Sequence, residues 1–287
     1  MKKPRIAIFV LLLLCLLAVS ASLSIVSATE YGAGVFCPNN YQPLPYPLGA
    51  GDTVHELKLT FDACEYIRMY YENVYDGYVY LLWGDTDPKT FPFEPHVTSV
   101  MFFDALDDLE NSNEKVSIFS KGHCCPWGSG SSNHLQLMMT LDWDPAHDAD
   151  IWDHTNNCKT HFCFIWHCGT ALHYPVPYPY ADQYGPYGMP MCFTHRLDMR
   201  KYGSTGPAIF AGWIFLSPQF ENYIRPGDVW QWAHLAVGIY WTMFHDRRSF
   251  GDALNIMSQQ IWDRDFDSCP IHNNLTVFGN MNLGLLY

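Results

Sequence analysis

Val116-Ser117-Ile118-Phe119-Ser120-Lys121-Gly122-His123 and His161-Phe162-Cys163-Phe164-Ile165-Trp166-His167-Cys168-Gly169 are two short apolar runs, each closing on a chemically reactive side chain. Each predicts a buried strand that delivers a reactive group at its end, His123 in the first and Cys168 in the second. In an open parallel sheet, ligands and catalytic groups gather at the carboxyl ends of the strands. If these two strands are neighbours, an imidazole and a thiol from distant parts of the chain meet at one edge. Such a pair is a minimal kit for nucleophilic catalysis, because a nearby base raises the thiolate fraction.

Upstream of the first run, Tyr78–Trp83 is a continuous apolar stretch of the kind buried parallel strands show. Residues 61–74 and 96–109 carry apolar positions at helical spacing. His55–Thr60 predicts a short strand, and 29–53, rich in Pro, Gly, Tyr and Asn, an irregular lead-in. Downstream, Leu275–Asn280 predicts a final strand and turn, and Pro207–Trp213 another strand. Trp230–Phe244 and Phe250–Trp262 predict two helices, the first apolar nearly all round and so buried. The alternation of strands and helices implies an α/β fold: three layers, α-β-α, around a mostly parallel sheet. Residues 173–190, dense in Pro and Tyr, predict an extended loop, either a surface connection or a wall beside the substrate.

The N-terminus predicts export. Lys2, Lys3 and Arg5 precede an apolar core at Ile6–Val19, and Val26-Ser27-Ala28 offers small residues for cleavage before Thr29. Residues 1–28 are therefore expected to be a signal peptide and 29–287 a single domain, secreted, or at the cell surface if the leader is retained. No later stretch is long and apolar enough to span a bilayer. Losing the leader's three cations moves the formal charge from −13 to about −16. That balance excludes the electrostatic footprint of nucleic-acid binding. Nine cysteines follow the leader, and an odd number in an exported chain suggests four disulfides plus one free thiol.

With these residues in view, the chain resembles the clan CD cysteine peptidases, the group of caspases, metacaspases, legumains, gingipains and clostripain. Phe119-Ser120-Lys121-Gly122-His123 and Phe164-Ile165-Trp166-His167-Cys168-Gly169 occupy the places of that group's His and Cys motifs, some 45 residues apart. The order of elements before His123 and the strand at Pro207–Trp213 follow the same layout. The C-terminal part, Asp252-Ala253-Leu254-Asn255 and Val277-Phe278-Gly279-Asn280, resembles bacterial and archaeal gingipain-like chains. The resemblance implies a caspase–haemoglobinase fold and a cysteine endopeptidase acting on peptide or protein substrates without a cofactor. It makes Cys168 the nucleophile, His123 the base or proton carrier, and the backbone N–H groups of Gly122, Cys124 and Cys168 the oxyanion donors. One departure stands out: the group usually has Gly directly after the His, and this chain has Cys124. The alternative is a catalytically inactive homologue, an extracellular binding or structural protein stabilised by disulfides.

Other readings compete for the same residues. His123, Cys124, Cys125, His161, Cys163, His167, Cys168 and His173 are ligand types suited to zinc, yet no standard zinc spacing is present, so no metal is expected. Strand alternation turns His167 away from Cys168, giving it a structural rather than basic role. Asp182 and Asp198 are either pocket residues for a basic side chain or solvated loop charges. Asn274-Leu275-Thr276 is an N-glycosylation sequon.

Overall fold

A computed structural model describes residues 29–38, 53–83, 97–126, 135–139, 144–171, 188–196 and 199–285. A six-stranded sheet organises them. Its strands are β1 (Thr29–Cys37), β2 (Val79–Trp83), β3 (Asn113–Lys121), β7 (Thr160–Trp166), β8 (Ile209–Trp213) and β9 (Leu275–Gly279). The order across the sheet is β2-β1-β3-β7-β8-β9. All neighbouring pairs are parallel except β8–β9. A smaller antiparallel sheet is made of β4 (His123–Pro126), β5 (Leu135–Met139) and β6 (Asp144–His147).

Side-chain alternation builds the layers. On β7, Phe162, Phe164 and Trp166 enter one core, together with Phe119 of β3 and Ile209, Ala211 and Trp213 of β8. Helices α1 (Val54–Glu72), α5 (Trp232–His245) and α6 (Phe250–Trp262) cover that face. The intervening residues, Val116 and Ile118 of β3 with Cys163 and Ile165 of β7, enter a second core. Helices α2 (Ser99–Ser112), α3 (Asp148–His154) and α4 (Met189–Thr194) supply residues to this face, as does the small sheet. The expected three-layer α/β architecture with a mostly parallel sheet is thus the one formed.

Three local expectations change. Residues 29–37 form an interior strand rather than an irregular lead-in. Gly32, Ala33 and Gly34 dilute its apolar signal, while pairing with β2 on one side and β3 on the other holds it extended. His55–Thr60 is the first turns of α1, capped by Thr53, whose side chain accepts the N–H of Glu56 at 3.0 Å. The strand expected to end in His123 stops at Lys121, and His123 opens β4, turning the chain into the second sheet.

Among the described residues no disulfide is formed. Cys37, Cys64, Cys158, Cys163, Cys168 and Cys269 are free thiols. Cys37, Cys64, Cys163 and Cys269 are buried among apolar side chains, acting as small hydrophobes. Cys37 and Cys64 lie in hydrogen-bonding contact, and burial raises the Cys37 pKa well above that of a free thiol, with Cys64 adding to it.

Candidate active site at the carboxyl edge of the sheet

Strands β3 and β7 are direct neighbours, with Phe119 opposite Phe164, Ser120 opposite Ile165 and Lys121 opposite Trp166. Gly122 N–H extends the ladder one step, donating to the Trp166 carbonyl at 3.4 Å. His123 and Cys168 each follow the last paired residue of their strand by two positions, so both lie just beyond the ends of neighbouring strands. Both are partly exposed at that edge.

The turn that presents Cys168 is specified locally. Gly169 has φ 70°, a left-handed conformation that costs a side-chain-bearing residue energy. Its N–H donates to Phe215 O at 2.8 Å. Thr170 closes the turn, its hydroxyl lying 3.1 Å from Ile165 O and 3.0 Å from His167 O. Cys168 is thereby lifted out of the strand line while His167 is folded beneath it.

His167 is fully buried. Its Nδ1 lies 2.7 Å from the carbonyl of His123, and its Nε2 lies 2.7 Å from Ser120 Oγ. A carbonyl only accepts, so Nδ1 carries the proton and Nε2 accepts from the serine hydroxyl. The ring is buried and held at both nitrogens, and it pins the backbone on which His123 sits. Gly122 makes room for it: a Cβ there would stand 2.8 Å from His167 Cε1 and 3.0 Å from Pro38 Cγ.

The segment after β8 completes the site. Ser217 N–H donates to Cys168 Sγ at 3.3 Å, and Ser217 Oγ lies 3.5 Å from the same sulfur. Among the described residues these are the hydrogen bonds of the thiol, and none joins it to His123. The Cys168 N–H has no partner among the described residues. Phe215 and Leu216, directly before Ser217 in the chain, are 70% and 77% exposed. Trp166 Nε1 anchors this segment by donating to Pro218 O at 2.8 Å.

A buried ion pair lies just below. Lys121 Nζ is 3.0 Å from Glu56 Oε1, with the side chains 3% and 0% exposed. The other Glu56 oxygen accepts the N–H of Glu221 at 2.7 Å, tying the post-β8 segment to α1. The ammonium also stands 5.3 Å from the centre of the Phe220 ring.

Of the expected oxyanion donors, Cys168 offers a free N–H, whereas that of Gly122 is engaged with Trp166 O. Cys124 belongs to β4, paired against Leu137, with its side chain buried. Sequence reasoning passed over Ser217, Ser120 and the Glu56–Lys121 pair. Ser217-Pro218 registers in the sequence as a strand terminator, and nothing local marks its contact with a sulfur 49 residues away.

The ligand types weighed for zinc are separated by the strand geometry. His161 Nδ1 donates to Val116 O at 3.0 Å, Cys163 points into the core, and His167 is held by Ser120. Among the described residues no group of three or more His, Cys, Asp or Glu is placed to hold a metal. No helix of the described residues is long and apolar enough to cross a membrane. Residues 1–28, Asp182, Asp198 and most of the Tyr/Pro loop lie outside the described residues.

No family model matches the chain, and no curated protein does. Among solved structures, it overlaps the crystal structure of the Drosophila initiator caspase Dronc with a TM-score of 0.41 and 11% identity. The overlap covers 90% of this chain and 83% of that one.

Proposed function

We propose that the chain is an exported cysteine endopeptidase of caspase–haemoglobinase type, with Cys168 as nucleophile and His123 as base and proton carrier. The observation that supports this reading is the β3–β7 pairing, parallel and adjacent, with His123 and Cys168 each two residues beyond the last pair at the carboxyl ends of the strands. The six-stranded, mostly parallel sheet with helices on both faces suits the three-layer fold of this type. Export is supported by the basic and apolar leader at residues 1–28.

In this mechanism the Cys168 thiolate attacks the carbonyl carbon of the scissile peptide, forming a C–S bond and a tetrahedral oxyanion. The Cys168 N–H stabilises that oxygen; one such donor is worth about 2.7–4 kcal/mol. Collapse breaks the C–N bond, and His123 gives its proton to the leaving amine. His123 then takes a proton from water, whose oxygen attacks the thioester and releases the acid and the thiolate. Phe215 and Leu216 supply the apolar surface that a bound peptide meets beside the sulfur.

A second reading, an inactive homologue acting as a binding protein, draws on two observations. The thiol bonds to Ser217 rather than His123, and Cys124 stands where Gly is expected. Hydrolysis of a quenched-fluorescent peptide library by the purified chain separates the two. The peptidase reading expects turnover that falls by on the order of a thousandfold in Cys168→Ala and in His123→Ala. Equal turnover in either variant overturns it.

A further inference from the structure

At the opposite end of the sheet, beside the start of β8 and the end of β9, lies a cavity of about 560 Å³. Arg196, Arg200 and Lys201 line it together with the loop Ser204-Thr205-Gly206. Among the described lining residues there is no carboxylate, although the chain as a whole carries a formal charge of −13; Asp198, between Arg196 and Met199, lies outside the described residues. Three cations facing one space run against that global balance. Neither guanidinium forms a hydrogen bond or an ion pair with a described residue. The Lys201 ammonium rests over the Tyr202 ring, 5.1 Å from its centre, rather than on an acid.

The loop itself is held with its acceptors turned away. Asn280 Nδ2 donates to Gly206 O at 2.9 Å and Asn282 Nδ2 to Ser204 O at 3.2 Å. The Asn282 N–H in turn fixes Asn280 by donating to its Oδ1 at 3.0 Å. The three peptide N–H groups of Ser204–Gly206 and the two hydroxyls, which can donate as well as accept, make no bond with a described residue. Gly206 adopts φ 113°, a conformation that favours glycine.

We propose that this cavity binds a small organic phosphate, its phosphoryl group held by Arg196, Arg200 and the donors of the Ser204–Gly206 loop. Guanidinium forks match phosphoryl oxygens in bidentate fashion, and three cations exceed the charge of a phosphate dianion. The cavity volume falls in the range of small-molecule sites and leaves room for an organic group beyond the phosphoryl head. The inference is independent of the peptidase reading, since the site lies at the other end of β8 and binding needs no turnover.

Isothermal titration of the purified chain with phenyl phosphate tests it, with inorganic phosphate as the head group alone and acetate at matched ionic strength as a carboxylate control. Saturable one-to-one binding of phenyl phosphate is expected, weaker binding of inorganic phosphate, and none of acetate. Arg200→Gln weakens binding by roughly tenfold or more, and the double variant Arg196→Gln/Arg200→Gln abolishes it. Both residues are exposed, so melting and circular dichroism should stay as in the parent. An absence of saturable heat, equal binding of acetate, or binding that survives in the folded double variant overturns the proposal.

Discussion

His167 donates its Nδ1–H to the carbonyl of His123 at 2.7 Å, so the residue preceding the thiol holds the backbone of the imidazole's own residue. The two strand ends are joined at this point by a fully buried ring whose other nitrogen is satisfied by Ser120. His167→Ala removes both bonds and leaves a cavity in their place. A loss of about 1–3 kcal/mol in urea unfolding is expected from the buried polar groups alone. Peptide turnover should fall with it, because His123 loses its support.

The close approach of Gly122 to the same ring gives a second expectation. Gly122→Ala places a methyl 2.8 Å from His167 Cε1, with Pro38 closing the other side. The ring must shift, weakening its bonds to Ser120 and His123. Overpacking of this kind costs about 1–3 kcal/mol, and thermal melting of the variant measures it. A melting curve identical to the parent's would show that the ring is not packed on this glycine.

Glu56 and Lys121 form a buried pair whose separate members have no water to fall back on. Glu56→Gln removes the carboxylate charge beside the buried Lys121 ammonium and weakens the acceptor of the Glu221 N–H. Destabilisation of about 3–5 kcal/mol is expected. The double change Glu56→Leu/Lys121→Met should recover much of that loss, because a well-packed apolar pair avoids desolvation. Chemical denaturation of the three proteins checks both the loss and the recovery.

How much of this was legible in the sequence depends on the range of the cause. The β3 and β7 runs announced themselves because their burial on both faces requires unbroken apolar residues. Strand β1 was hidden: its Gly32-Ala33-Gly34 core is extended only because two partner strands enforce it. His55–Thr60 alternates like a strand, yet the Thr53 cap and the tertiary role of Glu56 make it helix. Cysteine arithmetic misled for a related reason. An odd count suggested bridges, whereas Cys163 and its like fill space in the core. The contacts that shape the site, Ser217 to Cys168 and Glu56 to Lys121, span 49 and 65 positions and carry no local signature.

Stability should depend on acid through His161. Its ring is buried, Nδ1 donates to Val116 O, and Nε2 has no partner. Burial lowers its pKa to about 4 from 6.5, against the bond to Val116, which works upward. The unfolded chain therefore binds this proton at higher pH than the folded one. The neutral ring's contribution is whole above pH 6.5 and drains away as pH falls toward 4, by about 3 kcal/mol at most. Burial lowers the His195 pKa as well, adding in the same direction. Urea midpoints between pH 7 and 4 should fall less steeply in His161→Gln than in the parent.

The account rests on Cys168 being a nucleophile served by His123, and covalent capture by a peptidyl acyloxymethyl ketone reads that directly. Cys158 is an exposed free thiol and would confuse the result, so the measurement belongs in a Cys158→Ala background. Peptide mapping should find one adduct, on Cys168, forming on the order of a hundredfold more slowly in His123→Ala. An adduct on another cysteine, no adduct at all, or an unchanged rate without His123 would contradict the assignment.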